Sequence, residues 1–156
     1  MKLWLLLILL FALVLSGCAS QGSEPRPPTI HYGEDVSAGC GMIISDPRFA
    51  TAALPRDGDP LLFDDIGDYL SYSQSHHLVP RAVFVHDFQT KDWLRADEAW
   101  YLLSPNIHTP MGSGLAAFAQ EATARQFQAK ESGEVLNWSS VTSRTWSDDH
   151  VATPGD

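Results

Sequence analysis

The stretch "LLFDDIGDYL", Leu61 to Leu70, joins a short strand to a helix, and the fold around it can be worked out from that junction. Its three leading apolar residues, "LLF", are typical of a short buried strand. An aspartate at 64 or 65 favours the start of a helix, because its carboxylate accepts hydrogen bonds from the free amides of the first turn. Three apolar residues then recur at helical spacing and predict one buried face: Ile66, Tyr69 and Leu70.

The same junction carries three carboxylates close together, Asp64, Asp65 and Asp68. Such a group could hold a hard metal ion or take part in acid–base chemistry. Helix capping and solvation explain these residues more simply, and we assign no catalytic site to them.

Outward from the junction, strand and helix patterns alternate in two similar halves. Further strands are predicted at Gly41–Ser45, Arg81–Phe88 and Trp100–Leu103, with a loop at Asp46–Pro60 and a last strand or packing segment in Gly133–Val141. The clearest helix pattern is Met111–Lys130, capped by Ser113, with an apolar stripe of Leu115, Phe118, Ala119, Ala122 and Phe127. The fold class is therefore α+β, in one domain over residues 30–146 whose halves divide near 88–92.

The N-terminus, "MKLWLLLILLFALVLSGC", predicts a signal peptide over residues 1–17. A basic residue precedes an apolar run that is too short to span a bilayer comfortably. The run closes with Leu15-Ser16-Gly17-Cys18, which resembles the lipobox of bacterial lipoproteins and implies lipidation of Cys18. Several acyl chains give a stable anchor. The resemblance places the protein on the periplasmic side of a membrane, and Ala19 favours the outer one.

Polar segments flank the domain at both ends. Residues 18–29 are predicted to form an extended, Pro-rich tether, and residues 147–156 a disordered acidic tail. The whole chain has a formal charge of −9, and removal of Lys2 with the signal peptide makes it −10. This balance argues against nucleic acid or an anionic membrane surface as a partner. It is typical of a soluble body held at the membrane by its lipid.

Sulfur is scarce and concentrated in two glycine-flanked segments. The chain has two cysteines and three methionines. With Cys18 lipidated and Met1 removed, the free sulfurs are those of Cys40, Met42 and Met111. Cys40 then has no partner for an intrachain disulfide, in a compartment where cysteines usually pair. A single thiol there is expected to be buried, to dimerise, to react or to bind a metal.

The residue types favour Cu(I), which soft thiolate and thioether ligands select over hard ions. In "SAGCGMIIS", Cys40 and Met42 are two residues apart, so on an extended segment they would point the same way. Met111, in "TPMGSGL", is predicted to lie just ahead of a helix N-terminus, whose partial positive charge would help to hold a thiolate–metal pair. His108 is a further candidate ligand. The alternative is that Cys40 is simply a buried hydrophobic residue.

Several motifs in this order resemble the NosL family, lipoproteins accessory to nitrous oxide reductase. They are Cys40-Gly41-Met42, "LLFDDIGDYL", Trp93…Ala96…Ala99-Trp100-Tyr101 and Pro110–Phe118. The resemblance implies a periplasmic Cu(I) chaperone, not an enzyme, that serves assembly of the multi-copper centre of the reductase. It also implies two homologous ββαβ half-domains, a fold shared with organomercurial lyase.

By motif match, the family's Cys-x-Met pair falls on Cys40 and Met42, and its second methionine on Met111. Many relatives continue with His-Pro where this chain has Asp46-Pro47, so a histidine ligand at that point is missing. Two alternatives stay open. Cys40 could be the nucleophile of a thiol-dependent enzyme, or it could join two copies of a structural lipoprotein through a disulfide. A homodimer that shares an ion through Cys40 also stays open.

Overall fold

The computed structural model describes residues 24–146 of the chain. The predicted signal peptide, the lipidation site Cys18 and the predicted acidic tail lie outside the described residues, as does the tether before residue 24. Within residues 24–146, no helix is both long enough and apolar enough to cross a membrane.

The described part of the chain contains seven strands and three helices. In chain order these are β1 Thr51–Leu54, β2 Leu61–Phe63, α1 Ile66–Ser75, β3 Ala82–His86, β4 Trp93–Arg95, β5 Trp100–Leu103, β6 Leu115–Phe118, α2 Glu121–Glu131, β7 Glu134–Asn137 and α3 Trp138–Thr142. The predicted α+β class is confirmed. The predicted strand-to-helix junction is also confirmed, because β2 leads into α1 and Asp65 caps the helix.

The strands form two antiparallel sheets, of order β2-β1-β3-β4 and β6-β5-β7. Each sheet contains a ββαβ unit, formed by β1, β2, α1 and β3 in the first sheet and by β5, β6, α2 and β7 in the second. In each unit the first strand lies between the other two, and the helix connects the second strand to the third. The sheets meet where Asp87 forms a parallel bridge with Ala117, and the amide of Phe88 donates to the carbonyl of Ala117. Strand β4 pairs with β3, so the first sheet extends beyond the boundary predicted near 88–92.

One hydrophobic core is shared by both sheets and the helices that cover them. Its largest fully buried members come from β2, α1, β5 and β6, and they are Phe63, Ile66, Tyr101 and Leu115. A second cluster of phenylalanines and aliphatic residues lies between the second sheet and α2. Because both sheets bury side chains in the same core, each half supports the position of the other.

Three predicted elements are wrong. The helix predicted over Met111–Lys130 begins only at Glu121, since Leu115–Phe118 form strand β6 and are buried on both faces beside β5. The segment Gly41–Ser45 is not a strand, and of its residues Ile43 forms a single bridge to Val36. The predicted loop Asp46–Pro60 contains β1, the central strand of the first sheet. In β1 and β6, tertiary pairing overrides the helix propensity of alanine.

Candidate metal centre

The first turn of α1 holds the loop that carries Met111. Asp65 is fully buried, and its Oδ1 accepts a hydrogen bond of 2.6 Å from the amide of Gly67, which caps the helix. The other oxygen of Asp65 accepts a hydrogen bond of 3.2 Å from the amide of Met111. The capping prediction for Asp65 is therefore confirmed, and the same side chain also anchors a loop 46 residues further along the chain.

The same turn holds the loop that carries Cys40. Asp68 is buried, and its Oδ2 accepts hydrogen bonds from the Ser37 hydroxyl at 2.6 Å and from the amide of Cys40 at 3.3 Å. Asp64, also buried, accepts one from the amide of Ser45. The carboxylates at 65 and 68 lie one helical turn apart, so both sulfur-bearing loops are fastened to one end of α1.

Two glycines allow the loops to approach this turn closely. A Cβ atom at Gly39 would lie 2.2 Å from Oδ1 of Asp68, and a Cβ atom at Gly67 would lie 2.4 Å from the Cβ of Ser113. Both distances are below any ordinary contact, so a larger residue at either position would push a loop away from the helix. Gly39 belongs to the Cys40 loop, and Gly67 is the point on α1 where the Met111 loop packs.

Cys40 and Met42 lie in a tight hairpin loop and not on an extended strand. The amide of Ser37 donates to the carbonyl of Met42 at 2.8 Å, and the amide of Gly41 donates to the carbonyl of Ser37 at 3.1 Å. Gly41 adopts a φ of 72°, in the left-handed region. Strand alternation therefore does not set the directions of the two side chains, and that part of the sequence argument is wrong. The loop leaves Met42 56% exposed, whereas Cys40 and Met111 are half-buried.

The helix N-terminus beside Met111 is that of α1 and not the one that the sequence predicts. Met111 precedes a strand, yet its amide is bonded to Asp65, the capping residue of α1. The partial positive charge of the first turn is thus close to the Met111 loop, as expected, but a different helix supplies it.

Burial raises the pKa of the Cys40 thiol above its ordinary value. Hydrogen bonds from the Met42 amide and the Ser37 hydroxyl oppose this shift, whereas the Asp68 carboxylate adds to it. Burial, together with the neighbouring carboxylates, likewise raises the pKa of Asp64. Burial and the Asp68 carboxylate therefore favour the protonated form of the Cys40 thiol.

Within residues 24–146, no three His, Cys, Asp or Glu side chains lie together in a way that could hold a metal ion. Met42 and Met111, the predicted thioether ligands, both belong to loops that are hydrogen-bonded to the first turn of α1.

Among the described residues, the contacts of His108 do not include Cys40, Met42 or Met111. Its side chain is exposed, with Nδ1 3.1 Å from the carbonyl oxygen of Asn106. It lines a cavity with Arg48, Phe88 and Phe127, next to the second hydrophobic cluster. A role for His108 as a metal ligand stays a prediction.

A buried histidine fastens the start of the Cys40 hairpin to the first sheet. The buried His86 ring stacks on the Trp93 ring, with the two ring centroids 3.7 Å apart. Its Nδ1 lies 2.7 Å from the Lys91 carbonyl oxygen. Because a carbonyl can only accept a hydrogen bond, Nδ1 is the donor. The other ring nitrogen then accepts from the Tyr32 hydroxyl at 2.8 Å. Burial, with Asp46 nearby, raises the pKa of Tyr32 to about 12, so Tyr32 keeps its proton.

This arrangement predicts a loss of stability in mild acid. Burial lowers the pKa of His86 below its ordinary value, against the opposing effects of Lys91 and Asp92. The folded protein thus binds this proton less readily than the unfolded chain. The stability due to neutral His86 is complete above about pH 6.5 and falls below it, by at most about 1.4 kcal/mol per pH unit, until the folded state is protonated too.

Urea unfolding at about pH 7.5 and about pH 5.5 measures this effect, with His86→Gln as the control that cannot titrate. We expect the parent to lose more unfolding free energy than the variant over this interval. Equal losses would show that another group is responsible.

The supporting carboxylates are the functional residues that the sequence argument missed. The sequence favours capping and solvation for Asp65 and Asp68, whereas in the structure each carboxylate also accepts a hydrogen bond from the amide of a predicted ligand. The available signal was their spacing of three residues, which places both on one side of a helix start. Their partners lie 28 and 46 residues away along the chain, so no local pattern could identify them.

Comparisons with known proteins agree with one another. A family model described as NosL matches residues 29–146. The chain is similar to the copper-binding lipoprotein NosL of Stutzerimonas stutzeri, with 26% identity over an alignment of 149 residues; the match covers 87% of this chain and 78% of that protein. It is also similar to the crystal structure of the copper chaperone NosL from Shewanella denitrificans. That likeness has a TM-score of 0.67 and 18% identity, and covers 77% of this chain and 98% of that one, which shows a shared fold.

Proposed function

This chain belongs to the NosL family, and on that premise we propose that it is a lipid-anchored Cu(I) chaperone with Cys40, Met42 and Met111 as its copper ligands. The observation that carries the proposal is the shared attachment of two sulfur-bearing loops to the first turn of α1, through Asp68 on one side and Asp65 on the other. A Stutzerimonas stutzeri relative is named as a copper-binding lipoprotein, which supports the metal and the anchor.

The donor set suits a metal that must be released again. A thiolate supplies strong, charge-assisted binding, whereas thioethers bind weakly and do not titrate. Met42 is more than half exposed, so a client could approach the ion and exchange ligands with it. Copper in this site would be cargo, held in low coordination between two loops.

A copper-carrying role fits the thiol better than an enzymatic one. Catalytic cysteines have lowered pKa values, because the thiolate is the nucleophile. Burial and the neighbouring Asp68 instead raise the pKa of Cys40. A soft cation offsets this by replacing the proton and by interacting favourably with the surrounding carboxylates.

We extend the proposal to the rest of the chain by family resemblance. Lipidation at Cys18 would hold the domain on the periplasmic side of a membrane, with Ala19 favouring the outer one. The client would be nitrous oxide reductase or its maturation machinery. The two sheets, each with a ββαβ unit, would be the homologous halves that the family shares with organomercurial lyase.

An anaerobic titration of the mature domain with Cu(I), in competition with a chelator, tests the proposal. We expect one tightly bound equivalent per chain, and an X-ray absorption spectrum dominated by sulfur scatterers. Binding of no equivalent, or a first coordination sphere of nitrogen and oxygen alone, would contradict it.

The apparent Cu(I) affinity should rise with pH. Binding to the thiolate releases the Cys40 proton, and the pKa of this thiol lies above its ordinary value. Below that pKa, each pH unit should therefore strengthen binding by about tenfold. Competition titrations between about pH 6 and pH 8, corrected for protonation of the chelator, measure the slope. A flat profile for the parent would mean that Cys40 is not a ligand, and Cys40→Ser should show no such slope.

A further inference from the structure

Exposed apolar side chains are concentrated on one hairpin beside the candidate metal centre. Of the five large hydrophobic residues that are exposed in the described part of the chain, four lie between Tyr32 and Ile43. Single exposed apolar residues are normal on a protein surface, but a contiguous group marks an interaction site. The fifth, Val79, lies after α1 and is 67% exposed.

The geometry of the hairpin separates an inner face from an outer one. Val36 and Ile43 form an antiparallel bridge, flanked by the hydrogen bonds from Ser37 to Met42 and from Ile44 to Asp35. They are thus a non-hydrogen-bonded pair, in which the side chains of the two strands come closest. Val36 is 55% and Ile43 54% exposed, whereas Ile44 on the opposite face is fully buried against the first sheet.

We propose that the exposed side chains of Val36 and Ile43, together with the exposed Met42 next to them in the hairpin, form a docking surface, the apolar ridge, for a partner protein that presents an apolar patch rimmed by lysine or arginine. The inference rests on the proposed function in taking that partner to be the protein that exchanges copper. The ridge includes one proposed ligand, so a partner seated on it would bury Met42 and reach the ion at the same time.

The charge around the ridge favours a basic partner protein over a lipid surface or a second copy of the chain. Between Arg26 and Arg48 the chain has no lysine or arginine. Glu34 and Asp35 are acidic, whereas the carboxylate of Asp46 is paired with the guanidinium of Arg48 at 2.6 Å. An anionic lipid surface would be repelled. A symmetric contact with a second copy would set the same acidic rim against itself. A partner with a basic rim would be steered to the ridge and would then bury the apolar side chains.

Photo-crosslinking in cells that produce the full-length chain tests this proposal. Benzoylphenylalanine replaces Ile43, and in a matched control it replaces Val79. We expect the Ile43 position to form an adduct with a protein that the Val79 position does not capture. Peptide mapping of the adduct should place the crosslink on an apolar surface with lysine or arginine beside it.

Two substitutions, each made in the chain that carries benzoylphenylalanine at position 43, measure how the apolar side chains and the acidic charge contribute to docking. Val36→Thr keeps the branched shape of the side chain but not its apolar character, and should lower the adduct yield by about tenfold. Glu34→Lys should lower it several-fold and weaken its dependence on salt. Unchanged circular dichroism and melting temperature confirm that each variant is folded.

The docking surface would be overturned if the Ile43 position formed the same adducts as the Val79 control. It would also be overturned by adducts with lipid, with a second copy or with the chain's own tail. A third contradicting result is an adduct yield that Val36→Thr leaves unchanged. Cu(I) titration of a chain with Val36→Thr alone separates the two proposals. Parental Cu(I) affinity in that chain, together with a lowered adduct yield when Val36→Thr is made in the Ile43 crosslinking chain, supports docking through the ridge. If the parent chain binds no Cu(I), the copper proposal fails, and the adduct alone still decides whether the ridge is a docking surface.

Discussion

Replacing Cys40 with serine should lower the apparent affinity for Cu(I) by about a hundredfold to a thousandfold. The scale comes from structural zinc sites, where about 10–16 kcal/mol of binding free energy is spread over four ligands, or about 3–4 kcal/mol for each one. Serine supplies a hard, neutral hydroxyl in place of a soft thiolate. The competition titration that measures the parent's affinity also measures this loss.

The fold offers a clean control for this experiment, because both loops are fastened through the backbone. The amide of Cys40 donates to Asp68 and the amide of Met111 donates to Asp65. Side-chain substitutions at these positions therefore leave the anchoring hydrogen bonds in place. Met111→Leu, which keeps the side-chain volume but not the sulfur, should weaken binding by about ten- to a hundredfold without lowering the melting temperature. If Cys40→Ser and Met111→Leu both bound Cu(I) as tightly as the parent, the proposed ligand set would be wrong.

The sequence predicted elements that depend on local chemistry. The helix start at Asp65 follows from one capping side chain and from apolar spacing over a few residues. The strand Trp100–Leu103 follows from a short apolar and aromatic run. Both signals lie within the element itself, so these predictions do not depend on contacts with residues far along the chain.

Errors arose where partners distant in the chain decide the structure. The alanine-rich run after Met111 favours a helix by propensity, yet Leu115–Phe118 pair with β5 and are fully buried. The carboxylate of Asp87, about thirty residues away, then accepts a hydrogen bond of 2.8 Å from the amide of Ala119 and marks the end of the strand. Propensity is a weak prior that such contacts outweigh.

The candidate site shows the same division. The sulfur atoms could be identified from their scarcity and from family resemblance, because those are properties of residue type. The surface that brings their loops together could not be identified, because it consists of Asp65 and Asp68 bonded to amides far along the chain. The need for glycine at positions 39 and 67 can likewise be recognised only from the side chains that face them, those of Asp68 and Ser113.

Substitution of Asp65 should cause the second large effect, a loss of stability, because this side chain both caps α1 and accepts a hydrogen bond from the Met111 amide. Asp65→Ala removes the cap, at about 0.5–2 kcal/mol, and a charge-assisted hydrogen bond to the Met111 amide, at about 1.5–3 kcal/mol. Loss of a charge beside Asp64 and Asp68 relieves part of this cost. We therefore expect a decrease of about 2–3 kcal/mol in the free energy of unfolding, or about 4 °C in melting temperature for each kcal/mol.

Asp65→Asn separates the two roles, because asparagine caps helices as well as aspartate does and leaves no cavity at this fully buried position. Its oxygen can accept from Gly67, but its amide group then faces the Met111 amide as a second donor. We expect a stability between those of the parent and Asp65→Ala, measured by urea unfolding. Cu(I) affinity should fall by about ten- to a hundredfold, as for other residues that position metal ligands. Parental affinity in Asp65→Asn would show that the Met111 loop needs no anchor on α1 to bind Cu(I), and Asp65 would then have no part in positioning the proposed ligand.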